Sequence, residues 1–254
     1  GDIRRACRCG QEGGALHRHW SCPRLHEIAD TDGHELVGDT LADVECGKLE
    51  IIKRSAFYNC RSLKTINLPS ARIVEGDTFG GCDSLMDAKF GNKLERFGMG
   101  AFYFCTSLER ITIPLKDGMI THDNTFIGCA MLYHVDLVEG ALLNETISAL
   151  HLEGWRNDMN KEIDFIDRAL PTSVSVRVPI PTAGAGDGGR NAGEKARTIR
   201  IWIGSVLRQL GHYKAEHRRL LEEDVVPTLQ RFLPQDIVMN NAIPFLNLPS
   251  NVCE

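Results

Sequence analysis

Residues 56–69 read Ala56-Phe57-Tyr58-Asn59-Cys60-Arg61-Ser62-Leu63-Lys64-Thr65-Ile66-Asn67-Leu68-Pro69. Phe57, Cys60 and Leu63 stand at three-residue steps, and Ile66 and Leu68 follow as an apolar pair two residues apart. The same register returns at Phe79, Cys82, Leu85 with Ala88 and Phe90, at Phe102, Cys105, Leu108 with Ile111 and Ile113, and at Phe126, Cys129, Leu132 with Val135 and Leu137. The Phe positions are separated by 22, 23 and 24 residues. Such a set of positions in fixed register across four copies excludes chance and marks a repeat architecture.

Residues two apart in an extended segment point to the same side, so each apolar pair faces inward from a short strand. The Phe, Cys and Leu steps fit a tight helical or 3₁₀ turn whose apolar edge meets the same interior. One such unit cannot bury that face alone, whereas stacked coils can. Leu41, Val44 and Cys46 form an eroded earlier copy, and no unit is legible before about residue 35.

Composition agrees with a water-exposed, packed chain. The 254 residues are 43% hydrophobic and 25% charged, with a formal net charge of -5. No stretch approaches the ~20 apolar residues of a bilayer span. The charge is too small to indicate an acidic or basic partner. Nine Cys, an odd number, favour a reduced, intracellular setting over a disulfide scaffold. The chain starts at Gly1 without a Met or a secretory apolar run and reads as a fragment. Asn144-Glu145-Thr146 is a glycosylation triplet of the kind that arises often by chance.

The segments 56–69 and Ala101-Phe102-Tyr103-Phe104-Cys105-Thr106-Ser107-Leu108-Glu109-Arg110-Ile111-Thr112-Ile113-Pro114 resemble BspA-like leucine-rich repeats. The resemblance covers residues 36–141. From Leu142 onward the chain is similar to the helical tail that follows such repeats in proteins of microalgae. It implies an α+β fold, a short leucine-rich-repeat solenoid with repeats of 22–24 residues and then a C-terminal α-helical hairpin. It also implies a non-catalytic protein–protein interaction scaffold and no cofactor. Ala88 is small where the family has Ile or Leu, and Gly81 replaces a polar residue. The domain reading is an irregular N-terminal segment (1–35), the repeats (36–141) and a helical tail (142–254) with a linker over 171–192.

Within the tail, apolar residues three or four apart predict one helix over 144–170, kinked near Gly154 and stopped by Pro171, and a second over 193–221. Ile147, Leu150, Trp155, Met159, Ile163 and Ile166 are expected to pack antiparallel against Ile199, Trp202, Val206, Leu210 and Tyr213. The helix starting at Asn144 is expected to cover the apolar end of the last coil. Helix 193–221 holds seven basic residues against two acidic, and 144–170 holds six acidic against three basic. The simplest account is that these faces pack together, while nucleic acid or an anionic surface is the alternative partner.

Other motifs weigh less. Gly184-Ala185-Gly186-Asp187-Gly188-Gly189 fits a dinucleotide fingerprint in letters, but Pro179 and Pro181 interrupt the strand-to-helix turn that fingerprint needs, and no second strand follows. Cys7, Cys9, His17, His19 and Cys22 match no zinc spacing. His212 and His217, five apart, point ~140° away from each other on a helix and do not form a metalloprotease pair. The Cys recur because a small hydrophobe fits each coil's core, so Cys60, Cys82, Cys105 and Cys129 are expected buried and inert.

The remaining candidates are the outward strand residues. They form two columns, Asp43, Thr65, Asp87, Arg110 and His134, then Glu45, Asn67, Lys89, Thr112 and Asp136. A protein partner is expected to bind there, at Thr65, Asn67, Asp87, Lys89, Arg110, Thr112, His134 and Asp136. Mixed charge argues against a phosphate-rich ligand. Five strands at ~4.8 Å spacing cover only about 20 Å, less than a standard interface needs, so binding is expected to be weak.

Overall fold

The computed structural model describes residues 19–21, 27–28, 41–172 and 193–248. The repeats wind into coils whose strands form two parallel sheets. One holds β1 (His19–Ser21), β3 (Asp43–Glu45), β5 (Thr65–Leu68), β7 (Asp87–Phe90), β9 (Arg110–Ile113) and β10 (His134–Leu137) in that spatial order. The other holds β2 (Glu27–Ile28), β4 (Ile51–Ile52), β6 (Ile73–Val74) and β8 (Arg96–Phe97), and Ile120 extends it through a bridge to Phe97. Repeat equivalence fixes the register: Val44 pairs Ile66, Ile66 pairs Ala88, Ala88 pairs Ile111, and Ile111 pairs Val135. β1 and β2 lie upstream of the first legible unit, inside the segment expected to be irregular. The signal there is hidden because His17 occupies the Leu position of the repeat. Of the Cys/His cluster, Cys7, Cys9, His17 and Cys22 lie outside the described residues.

The third side of each coil is the Phe-Cys-Leu turn, and it too is laddered. The N–H groups of Asp77, Phe79 and Gly81 donate to the carbonyls of Met99, Ala101 and Tyr103 at 2.9, 2.8 and 2.8 Å. Two positions in each of the first three turns, and one in the fourth, are left-handed. Ser55, Asp77 and Gly100 (φ +56°, +53°, +65°) stand two residues before the Phe, and Asn59, Gly81, Phe104 and Gly128 (+58°, +72°, +56°, +80°) two after it. Gly81 is thereby explained: its backbone is left-handed, and a Cβ there would strike the Asn59 carboxamide.

Inside, Phe57, Phe79, Phe102 and Phe126 stack at centroid distances of 5.3, 5.2 and 5.5 Å. Offset-stacked pairs contribute ~0.5–1.5 kcal/mol each beyond area burial. Ala88 is balanced by the large Phe90, whose ring meets Phe97 edge-on at 5.2 Å, so the coil keeps its volume.

Three of the four thiols do more than fill space. Cys82 Sγ donates to the Phe57 carbonyl at 3.1 Å, Cys105 to Phe79 and Cys129 to Phe102, both at 3.0 Å. Those carbonyls also accept the N–H of Cys60, Cys82 and Cys105 in their own turns. Both lone pairs of a buried oxygen are thus satisfied, one within the coil and one from the next. Burial pushes the Cys60 thiol up to about 12 and raises Cys82 and Cys105 as well.

The chain folds as two compact units, one of residues 1–138 with 166–201 and a second of 139–165 with 202–254. The single helix expected over 144–170 is two, α1 (Gly140–Ala149) and α2 (Glu153–Thr172). The break falls at Leu150, whose backbone is extended (φ −60°, ψ 137°) and whose side chain is buried. Arg156 Nη1 satisfies the Leu150 carbonyl at 2.6 Å, and Gly154 sits in the first turn of α2 rather than at a kink. α3 spans Glu194–Leu220, followed by short helical pieces to Leu246. In the second unit, Trp155 stacks on Tyr213 at 5.4 Å, the Tyr213 hydroxyl donates to Asp158 (3.3 Å), and Trp202 Nε1 donates to the Glu162 carbonyl (2.8 Å). Partners in opposite chain order make α2 and α3 antiparallel there.

These thiols give a sharp test. Cys105→Ala leaves the Phe79 carbonyl half-satisfied beside a small void and should cost about 1–3 kcal/mol by urea unfolding. Cys105→Ser keeps a donor on the same carbonyl and should cost less, in contrast to the penalty expected for a hydroxyl in a purely apolar stack. A Ser variant weaker than the Ala variant would show the thiol bond to be incidental. Because the folded thiols titrate above their unfolded value, they hold protons the unfolded chain has lost, so stability should fall as pH rises above about 9.

Candidate interaction face

On the outward side of the six-stranded sheet the two expected columns stand in register, coil by coil. Thr65 Oγ1 donates to Asp43 at 2.6 Å, and Asn67 Nδ2 donates to Glu45 at 3.3 Å. Lys89 pairs with Asp87 along one strand at 3.2 Å, and Arg110 Nη1 reaches Asp136 at 2.7 Å. His134 Nδ1 lies 2.8 Å from Asp167 of α2. Thr112 is half-buried between Lys89 and Asp136 in the same column. One carboxylate oxygen, Asp87 Oδ1, is buried without a hydrogen-bond partner.

The opposite sheet carries a different pattern. Glu50, Arg72 and Glu95 alternate in sign along the coils beside it. Arg72 donates to Glu95 through Nε (2.9 Å) and Nη2 (2.7 Å), a hydrogen bond that lowers the Glu95 carboxyl. Lys53 pairs with Glu75 at 3.4 Å and Arg54 with Asp77 at 2.9 Å. Exposed pairs of this kind stabilise by only ~0–1 kcal/mol each, so they set register more than stability.

The basic helix is used unexpectedly. In the first unit, Lys195 Nζ donates to the Ala130 carbonyl at 3.1 Å and also to that of Leu132. Arg200 Nη1 donates to the Ile120 carbonyl at 3.3 Å and, through Nη2, to Asp123, which Arg197 also reaches at 3.2 Å. The guanidinium of Arg200, followed by that of Arg197, holds the Asp123 carboxyl below its usual range. In inner coils the equivalent carbonyls of Ile52 and Val74 accept the next coil's backbone N–H from Glu75 and Gly98. Arg200 therefore supplies the donor that a further coil would bring. Gly193 permits the approach, since a Cβ there would lie 2.7 Å from Asp123 Cβ. Within the first unit Leu170, Ala196 and Ile199 are buried as well. Three of the seven basic side chains face this coil.

Elsewhere in the tail, His217 is buried. Its Nδ1 accepts the His151 N–H at 3.2 Å, and its Nε2 donates to the Leu246 carbonyl at 2.9 Å. It ties three segments of the second unit together, a role the His212/His217 spacing did not suggest. The Gly-rich stretch 184–189 and most of the 171–192 linker lie outside the described residues. Among the described residues, no helix is long and apolar enough to cross a membrane.

Parallel coils with inward apolar pairs, a Phe stack and a laddered turn define a leucine-rich-repeat solenoid. Residues 44–148 match the BspA type leucine rich repeat region, in six copies. No curated protein matches the chain. Among solved structures, it is similar to a leucine rich cell surface protein from Faecalibacterium prausnitzii A2-165 (24% identity, 47% of this chain and 32% of that one, TM-score 0.38). It is also similar to a leucine-rich repeat protein from Bacteroides ovatus ATCC 8483 (25%, 48% and 32%, TM-score 0.36). A third is the T. pallidum Leucine Rich Repeat protein (23%, 48% and 70%, TM-score 0.33). The chain spans 32% of the length of the first two.

Burial pushes the Lys195 ammonium down to about 8. Between that value and its unfolded value near ~10.4, the folded chain has released a proton that the unfolded chain keeps, so this residue's contribution grows as pH rises. The stability difference between wild type and Lys195→Met, measured by urea unfolding, should therefore shift in favour of wild type from pH 8 to 10. A flat difference would mean that the ammonium is solvated and does not close the coil.

Proposed function

We propose that this chain is a non-catalytic protein-interaction scaffold whose ligand face is the outward surface of the six-stranded sheet. The observation that carries this reading is the register of the outward columns. Repeating coils hold Thr65, Asn67, Asp87, Lys89, Arg110, Thr112, His134 and Asp136 at fixed spacing on a continuous parallel sheet, where neighbouring strands are ~4.8 Å apart. Leucine-rich-repeat arrays generally serve protein interaction through such extended surfaces. The partner is a protein whose own surface is mixed in charge, since Asp87, Lys89, Arg110 and Asp136 bring both signs to the centre of the face. The basic helix is a weaker candidate for an anionic partner, because Lys195, Arg197 and Arg200 are engaged with carbonyls and Asp123.

A photo-crosslinking residue placed at Asn67 or Thr112 should capture a discrete partner, while one at Ile73 on the opposite sheet should not. Lys89→Glu combined with Arg110→Glu should weaken binding of the captured protein about tenfold, chiefly in its association rate. Capture only from position 73 would refute the assignment of the face.

A further inference from the structure

The third side of the solenoid carries aromatic rings that are half exposed. Tyr58, Tyr103 and Phe104 are 50%, 41% and 46% exposed. Two of them rest on a glycine of the following coil. A Cβ on Gly80 would lie 2.9 Å from the Tyr58 ring, and one on Gly128 would lie 2.9 Å from Phe104 Cγ. Tyr103 and Phe104 meet edge to face at 4.6 Å. Phe104 holds this place with a left-handed backbone, where its counterparts in other coils are Asn59, Gly81 and Gly128. For an aromatic residue that conformation costs ~1–2 kcal/mol, and retained strain of this sort points to a use for the side chain.

Charge and spacing narrow the occupant. No charged residue stands in the two turn columns that hold these rings in any of the four coils, although both sheets carry charges throughout. Tyr58 and Tyr103 belong to coils two apart, a backbone separation of ~9.6 Å at ~4.8 Å per coil. A polyproline II helix repeats every three residues at ~3.1 Å, or ~9.3 Å per turn. The strip from Tyr58 to the Gly128 turn crosses three coil steps, ~14 Å, far short of the ~800 Å² per partner that a folded protein or second copy needs, yet long enough for a short extended peptide. Tyrosine hydroxyls beside flat rings are the means by which aromatic grooves read proline rings and their intervening carbonyls.

We propose that Tyr58, Tyr103 and Phe104 form a docking strip for an uncharged proline-rich segment in the polyproline II conformation, successive prolines one turn apart seating on Tyr58 and in the angle between Tyr103 and Phe104. This site is separate from the sheet face and does not depend on it.

The test uses the full chain and a fluorescein-labelled decaproline peptide, with a Gly/Ser peptide of equal length as control, followed by fluorescence anisotropy. Decaproline should bind saturably, with little change between low and high salt, and the Gly/Ser peptide should not. Tyr58→Ala and Tyr103→Ala should each weaken binding about tenfold while the chain still melts in one cooperative transition, since both rings are half exposed. Tyr103→Phe should retain most of the affinity, and Arg96→Ala on the second sheet should leave it untouched. Absence of saturation at millimolar peptide, or affinity unchanged in both Tyr→Ala variants, would overturn the proposal. So would concentration-dependent dimerisation of the free chain that Tyr103→Ala abolishes, because the strip would then be a contact between copies.

Discussion

A buried peptide oxygen that needs two donors governs this molecule. In the turns of Phe57, Phe79 and Phe102 the Phe carbonyl takes one hydrogen bond from the N–H of its own Cys and a second from the thiol of the following coil. The second donor arrives only if the next coil repeats the Phe-to-Cys spacing and stacks in register. An orphaned carbonyl at this depth costs on the order of 1–3 kcal/mol, so the array tolerates coil lengths of 22 to 24 residues while holding the three-residue step constant. Variation in length is absorbed on the sheet corners and turns, away from that bond.

The two ends of the array are therefore different problems. Inner coils satisfy each other, whereas the last has carbonyls facing no successor. At Ile120 the Arg200 guanidinium takes the place of the missing N–H, and Lys195 donates to two further carbonyls of this coil. That explains why a helix rich in Lys and Arg is not simply a charged surface. Its first turns are a mould of one more coil.

Much of the repeat was legible because its signal is periodic and covalently local: Phe, Cys and Leu steps mark the turn, and pairs two apart mark the strands. The outward columns were legible for the same reason, since whatever is not inward at period two must face out. What escaped the sequence depended on contacts distant in the chain. Nothing in the charge count reveals that Arg200 meets Ile120, eighty residues earlier. The donor role of the thiols was hidden as well, since a Cys chosen for size and one chosen for its proton look alike in a sequence. β1 and β2 are obscured because a His stands where the repeat has Leu.

The closure by Lys195 and Arg200 has a consequence for how such a chain changes over generations. It recognises main-chain oxygens and one acidic side chain on the final coil, and nothing about how many coils precede it. Duplication or loss of a whole repeat inside the array would hand the same terminus to the same plug. The gene can lengthen or shorten its solenoid in single steps without inventing a new ending, while the outward columns acquire or shed one row of side chains at each step.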